Sequence, residues 1–384
     1  MSAPVTRLGV STLGMDGGRS GIGRYTVSLL RELGELRPDW RVDVVGQRSD
    51  RRLFGDLPAA WRWISVPART RGAVREILWT QFGLRRLARR GRWHAAFLAA
   101  GNRRLPFSLP CPAVGTVHDL STLHVAEKYD PLRRLYILRV LPALIRRLDR
   151  AIAVSRASAR DLEGHAGVEE GRIDVVWNGV TPRPVAPARE ARRRVGDALG
   201  VTDPWMLYIS RLEHPGKNHL RLIEAYERWA DAHPGAGHRL VLAGANWSGS
   251  EAVHRRIASS PYADRILATG FVGSELLHDL LDGADLLVFP SLYEGFGLPV
   301  LEAMAAGVPV ACSDRSSLPE VAGDAALYFD PDDPASICAG VTAALADRAG
   351  RRRRVEAGRR RAAELTWRRT AERTAASLER SVRR

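Results

Sequence analysis

The stretch Leu286-Leu287-Val288-Phe289-Pro290-Ser291-Leu292-Tyr293-Glu294-Gly295-Phe296-Gly297-Leu298-Pro299-Val300-Leu301-Glu302-Ala303-Met304-Ala305-Ala306-Gly307 holds the most decisive pattern in this chain. Leu286 to Phe289 is a short unbroken apolar run, as expected of a strand buried on both faces of a parallel sheet. Pro290 ends it, and a loop with glycine at 295 and 297 follows. Pro299 falls near the first turn of a helix, where its missing N–H has no partner to lose. Gly307 closes the helix and Pro309 lies just beyond. Glu294 therefore stands in a strand–helix loop and Glu302 inside the helix. Free N–H groups at such a helix start suit a phosphate or diphosphate. Gly295 and Gly297 let the backbone come close to a ligand. A loop carboxylate accepts hydrogen bonds from sugar hydroxyls, and one on the helix can clamp a ribose.

Outward from this segment the same alternation repeats. Strands are expected at Met206–Ile209, Arg239–Ala243, Ile266–Gly270, Val308–Ala311 and Ala326–Phe329, each followed by a helix or turn. The first half of the chain does likewise, with strands at 8–10, 42–45, 95–99, 113–117, 151–154 and 173–177, and a helix over Tyr25–Leu36. Alternation of this kind predicts parallel sheets covered on both faces. Between 181 and 204 the pattern lapses, and the proline-rich run from Thr181 to Pro187 reads as a linker. The expectation is an α/β protein with two Rossmann-like, doubly wound parallel-sheet domains facing a cleft. The first covers 1–185 and the second 186–365. Residues 366–384 form a terminal helix, opened by Thr366-Trp367, that packs back on the first domain. Ligands of open α/β sheets bind at the carboxyl ends of the strands, so the crevice between the domains is the expected site.

Three further elements fall at such strand ends. In Ser210-Arg211-Leu212-Glu213-His214-Pro215-Gly216-Lys217-Asn218, Arg211 and Lys217 sit in a loop ahead of a helix that Asn218 could cap. Two cations there would neutralise a diphosphate and stabilise it as it leaves; alone, the segment also reads as an exposed basic loop. It is not a P-loop, because Asn218 follows the lysine. In Thr116-Val117-His118-Asp119 the histidine follows a strand, and Asp119 could orient its ring or the loop. In Gly17-Gly18-Arg19-Ser20-Gly21-Ile22-Gly23-Arg24-Tyr25 the glycines turn the first strand into the first helix. This departs from Gly-x-Gly-x-x-Gly, so a nicotinamide-binding fold is not supported.

The spacing of Glu294 and Glu302, inside Gly-Phe-Gly-Leu-Pro and Ala-Gly-Val-Pro-Val, resembles the E-x7-E signature of retaining family 4 glycosyltransferases with two Rossmann-like domains (GT-B). The resemblance implies transfer of a hexose from a nucleotide-sugar donor to a saccharide or lipid-linked acceptor, with retention at the anomeric carbon and no required metal or other cofactor. It implies that Arg211 and Lys217 hold the donor diphosphate, that Glu294 positions the sugar and that Glu302 holds the ribose. Gly295, Phe296, Gly297 and Leu298 then belong to the diphosphate and sugar, and His118 contacts the sugar near the reacting carbon. The loop bearing Gly21 and Gly23 closes over the diphosphate and acceptor, while Gly244, Phe271 and Val272 line the nucleotide. The segment Arg75 to Gln81 and the run Leu286 to Gly307 look most like mannosyltransferases that use GDP-mannose in bacterial polysaccharide assembly.

Charge and cysteine set the remaining bounds. The chain has 384 residues, and 58 basic against 43 acidic side chains leave a formal net charge of +15. That excess either reflects attraction to polyanions or is an arginine-rich solvated surface. Two basic stretches, Arg75 to Arg90 (with Ile77, Leu78, Phe82 and Leu87) and Leu132 to Leu148, either rest on an anionic membrane face or turn an apolar stripe to the core. Cys111, Cys312 and Cys338 are dispersed and odd in number, so neither a disulfide framework nor a zinc site is expected. No signal peptide or spanning segment is legible. The expected location is cytoplasmic, at the inner face of the cell membrane if the basic stretches bind lipid. Rival readings are a nucleotide-sugar epimerase or another enzyme on this architecture, and a basic nucleic-acid-binding protein, for which no recognised module is present.

Overall fold

The computed structural model describes residues 7–18, 20–70, 72–120 and 136–382. Of these, residues up to 181 and from 365 onward gather into one compact unit, and 182–364 form a second.

Among the described residues the sheet of the first unit has seven parallel strands in the order β3-β2-β1-β4-β5-β6-β7. They are β1 Arg7–Ser11, β2 Arg41–Gln47, β3 Trp61–Val66, β4 Ala95–Leu98, β5 Ala113–Val117, β6 Arg150–Ala153 and β7 Ile173–Val175. The central strands β4, β5 and β6 are buried at every position, as sequences such as Ala-Ala-Phe-Leu require when helices cover both faces. Strand β3 escapes the sequence reading because it is an edge, half-exposed strand in which Arg62 and Ser65 interrupt the apolar residues.

Helix α1, Gly21–Leu36, starts four residues earlier than expected. Gly21, Ile22 and Gly23 are inside it, and the Ser20 side chain accepts a hydrogen bond from the Gly23 N–H (3.4 Å). Glycine at 23 is a packing requirement, because a Cβ there would lie 2.5 Å from the Gly18 Cα. The terminal helix Trp367–Val382 returns to this unit and lies on α1, burying Trp367, Thr370, Ala371, Thr374, Ala375, Ser377 and Leu378. The Thr370 hydroxyl donates to the Trp177 carbonyl (2.8 Å) and the Ser377 hydroxyl to Asp174 (2.6 Å).

The second unit has six parallel strands among its described residues, in the order β10-β9-β8-β11-β12-β13. They are β8 Trp205–Ile209, β9 Arg239–Ala243, β10 Ile266–Gly270, β11 Leu286–Phe289, β12 Val310–Ser313 and β13 Ala326–Phe329. The order 3-2-1-4-5-6 is that of a doubly wound nucleotide-binding sheet, whose direction of winding reverses between β8 and β11.

The expected linker is corrected in two ways. Arg183 and the Ala186 N–H bind the buried Asp282 carboxylate, so the proline-rich run is clamped to the second unit. Ala188–Leu199 is a helix; its buried stripe is only Ala191 and Val195 amid arginines, too narrow to show as a periodic pattern. Of the basic stretch 132–148, the described residues from 136 onward do not form one continuous α-helix. Leu132, Arg133, Arg134 and Leu135 lie outside the described residues. The rest is a π turn, Tyr136–Val140, and the short helix Leu141–Ile145, with Leu141, Ile145 and Leu148 buried.

Candidate functional site

In the second unit the carboxyl ends of β8 and β11 lie side by side, and the loops leaving them are sewn together. Tyr208, the fourth residue of β8, is fully buried. Its hydroxyl donates to the Lys217 carbonyl (2.7 Å) and hydrogen-bonds the Ser291 hydroxyl (3.0 Å). Burial pushes that hydroxyl far above the usual phenol range, so it stays protonated. The Leu292 N–H donates to the Gly216 carbonyl (3.1 Å), and the Asn218 amide donates to the carbonyls of Pro290 (3.0 Å) and Pro331 (2.7 Å). Asn218 therefore does not cap the helix His219–Ala232 with its side chain, as its position had suggested. It adopts a left-handed backbone (φ 60°) and turns its amide into the loops.

This stitching sets one charged contact. The Lys217 ammonium lies 2.6 Å from a Glu294 carboxylate oxygen, both side chains being mostly buried. The backbone of Glu294 is held independently. Its N–H donates to the Ser316 hydroxyl (2.9 Å), and its carbonyl accepts from the hydroxyls of Ser316 (2.8 Å) and Ser317 (3.0 Å). Ser317 also donates to the Phe296 carbonyl (2.9 Å). These serines follow β12, more than twenty residues beyond Glu294, where the sequence offers no signal except their place after a strand.

The glycine loop enters the helix Leu298–Ala306 at Gly297, which has φ 96° and no room for a Cβ against Leu318 (2.7 Å). Phe296 and Leu298 are buried, and Glu302 stands within the helix, partly exposed. The helix start offers fewer donors than expected, since Pro299 has none and the Val300 N–H turns to the Gly297 carbonyl (3.0 Å). Gly295 lies between Glu294 and Phe296 in the same loop.

Toward the other side of the sheet, Arg211 pairs with the buried Glu213 (3.0 Å), and its guanidinium lies over the ring of Trp247, 4.7 Å from the centroid. Gly244 is required by backbone packing, because a Cβ would lie 1.9 Å from the Ser210 carbonyl oxygen. Phe271 follows the end of β10 and is 68% exposed, with Val272 partly exposed beside it. Arg211, Lys217, Gly244, Phe271, Glu294 and Gly295–Gly297 thus all belong to loops at one edge of one sheet, with Leu298 at the start of the helix that follows.

In the first unit, His118 follows β5 and is buried. Its Nε2–H donates to the Ala99 carbonyl (2.8 Å), and its ring meets Tyr25 edge-on at 4.6 Å. Burial lowers it to about 4 despite the Ala99 bond and the nearby Asp119, with Arg103 adding to the drop, so the ring is neutral at pH 7. Gly21 is exposed at the start of α1, whereas Gly23 faces its own turn. Arg19 lies outside the described residues. Among the described residues no group of three or more His, Cys, Asp or Glu is placed to hold a metal ion.

A sheet that reverses at such a crevice, with a lysine–glutamate pair within it, has the strand order of the nucleotide-binding α/β folds. The comparisons agree. Residues 192–361 match the family model of glycosyl transferases group 1, and residues 19–183 match that of glycosyltransferase family 4. The chain belongs to this glycosyltransferase family, on the two-domain GT-B architecture. Among its relatives, it is 31% identical over 246 residues to the O-antigen chain mannosyltransferase B of Escherichia coli, covering 62% of each protein. It is 32% identical over 250 residues to a serotype-specific mannosyltransferase of the same organism, covering 63% of this chain and 30% of that one. The chain thus spans less than two thirds of these curated relatives. The structure of sucrose-phosphate synthase from Thermosynechococcus elongatus superposes with a TM-score of 0.77 at 19% identity, covering 97% of this chain and 98% of that one, a likeness of fold.

Proposed function

We propose that this protein transfers a hexose, with mannose from GDP-mannose favoured, to a saccharide or lipid-linked acceptor, with retention at the anomeric carbon. The observation that carries the reading is the Lys217–Glu294 contact at the point where the second sheet reverses. The two side chains pair with each other, and a bound donor would take both: phosphate oxygens for Lys217, sugar hydroxyls for Glu294. The bond from the anomeric carbon to the diphosphate oxygen breaks, its electron pair goes to that oxygen, and Arg211 and Lys217 stabilise the growing charge. The acceptor hydroxyl bonds to the same carbon and gives its proton to the departing phosphate. In this reading Glu302 holds the ribose, and Phe271 and Val272 lie beside the base. The two cations do the work for which a metal would otherwise serve. Mannose is favoured by the names of the curated relatives. A panel of GDP, UDP and dTDP sugars tests the donor, since the true one raises the melting temperature most. Glu294→Ala should reduce transfer by about 10²–10³-fold with the fold intact, the scale of one lost transition-state contact; full activity in that variant would sink the proposal.

We also place an anionic lipid surface against helix α2, Ala73–Gly91. The helix turns Thr80, Leu84 and Ala88 inward, yet Val74, Leu78 and Phe82 form a second, outward stripe, exposed by 70, 56 and 75%. Phe107, 55% exposed, sits beside it, its N–H held by Gln81 (2.6 Å). Exposed Arg75, Arg85, Arg86, Arg89 and Arg90 flank the stripe, and Glu76, the one carboxylate of the helix, is buried against Arg104 (2.6 Å). Apolar burial plus about 1 kcal/mol per cation near an anionic surface supports reversible docking. Among the described residues no helix is long and apolar enough to cross a membrane. Flotation should recover the protein with phosphatidylglycerol vesicles but not phosphatidylcholine vesicles, and Leu78→Ser/Phe82→Ser should lose it. Equal recovery of that variant would remove the docking surface.

A further inference from the structure

Trp247 has no place in the reading so far, yet it is a large aromatic 51% exposed at a loop following β9, next to the crevice. The face of an exposed tryptophan is open to a cation. Here the face is used, since the Arg211 guanidinium sits over it at 4.7 Å.

The frame around this pair is rigid. The segment 211–214 runs along 245–248 as a small extended ladder. The Leu212 N–H donates to the Ala245 carbonyl (2.9 Å), the Trp247 N–H to the Leu212 carbonyl (3.0 Å) and the His214 N–H to the Ser248 carbonyl (3.1 Å). Gly244 lets the two backbones touch at the root of the ladder. The Glu213 carboxylate, 1% exposed, lies 3.0 Å from one guanidinium nitrogen. An arginine side chain has several free torsions and loses considerable rotamer entropy when a ligand must arrest it. With Trp247 against the guanidinium and Glu213 at one of its nitrogens, the remaining N–H edges are what a phosphate engages.

We infer that Trp247 is a positioning residue that holds the Arg211 guanidinium ready for the donor diphosphate, acting through Arg211 rather than on the base. The inference rests on the proposed role of Arg211 as a diphosphate ligand. An aromatic face is the required property, so phenylalanine should serve and leucine, of comparable bulk and apolarity, should not.

The test measures binding of GDP, UDP and dTDP and of the matching nucleosides, by competition, to the full chain and to Trp247→Leu, Trp247→Phe and Arg211→Ala. With the diphosphate that binds best, Trp247→Leu should weaken affinity roughly tenfold, as expected for a partly exposed cation–π contact. It should leave the nucleoside unchanged. Trp247→Phe should stay within about twofold, and Arg211→Ala should weaken the diphosphate at least as much as Trp247→Leu. If Trp247→Leu binds the diphosphate like the parent while Arg211→Ala is impaired, the positioning role is overturned and the reading of Arg211 stands. If nucleoside and diphosphate weaken equally in Trp247→Leu, the ring serves the base and the inference is again overturned. If Arg211→Ala binds normally, the reading of Arg211 falls and the inference with it.

Discussion

The two units share one plan and furnish it differently. Each sheet reverses its winding between its first and fourth strands in chain order, so each opens a crevice at the carboxyl edge. In the first unit the loops at that edge serve mainly themselves. Gly14, Gly17 and Gly18 have positive φ, and Arg103 donates to the Gly14 carbonyl (2.9 Å) and pairs with Asp16. His118 lies buried with its Nε2–H on a backbone carbonyl. In the second unit side chains from separate strands converge: Tyr208, Ser291, Asn218 and Ser316 hold the backbone, and Lys217 meets Glu294. A doubly wound sheet supplies the crevice in both cases, and the loop chemistry decides what each can bind.

The largest effect that could break this contrast is on catalysis. Lys217→Ala should cut kcat/KM for the donor about 10²–10³-fold, or roughly 3–4 kcal/mol of transition-state stabilisation. Arg103→Ala, a comparable cation at the first unit's crevice, should change donor binding far less. Steady-state kinetics that showed the two variants equally impaired would erase the assignment of the donor to the second unit. Because Lys217 and Glu294 touch, the double variant with Glu294→Ala should fall short of the sum of the single losses.

What was legible in the sequence follows the same division. The glycine loop, Glu294 and Glu302 are contiguous, and the periodic run into Gly307 marks strand, loop and helix at once. Lys217 and Arg211 could be placed because they directly follow a buried strand. The residues that hold these groups in register could not be found that way. Tyr208 reads as one more apolar strand residue, and Ser316 and Ser317 look like any serines in a turn. Asn218 sits where a cap belongs and instead reaches two carbonyls 72 and 113 residues away. Edge strand β3 and the arginine-rich helix Ala188–Leu199 were missed for a related reason. Each buries too narrow an apolar stripe for local periodicity to show, and each is fixed by pairing with residues remote in sequence.

A smaller effect is common to both units and sharpens the comparison through pH. His118 in the first unit is lowered to about 4 by burial, and His219 in the second, wholly buried beside Tyr208, to about 3. A free histidine titrates near 6.5, so between that value and the folded one the unfolded chain holds a proton that the folded chain does not. Stability should therefore be full above pH 6.5 and decline as the pH falls toward 4, with His219 continuing the loss toward 3. His118 contributes about 3 kcal/mol over its window and His219 about 5 kcal/mol over its wider one. Urea titrations of His118→Gln and His219→Gln should each show a shallower acid decline than the parent. A parallel decline in all three chains would mean that neither imidazole is held neutral.

The smallest effect concerns how each unit begins a helix at its crevice. Helix α1 uses an ordinary cap, the Ser20 hydroxyl accepting from Gly23, and Ser20→Ala should cost about 1 kcal/mol. By capping preference alone, Asn218→Ser should be neutral, since serine and asparagine cap about equally well. The observed geometry argues otherwise. Serine is too short to reach the Pro290 and Pro331 carbonyls, which the asparagine amide satisfies while itself almost fully buried. Two buried acceptors would lose their donors, at about 1–3 kcal/mol for such groups. The loop bearing Lys217 would also lose part of its tie to the strand that leads to Glu294. Asn218→Ser should therefore destabilise the chain more than Ser20→Ala and should also lower donor turnover, whereas Ser20→Ala should leave turnover nearly unchanged. Melting curves and donor kinetics on the two variants read both quantities. Equal small losses in stability and unchanged turnover in both would reduce Asn218 to a simple cap.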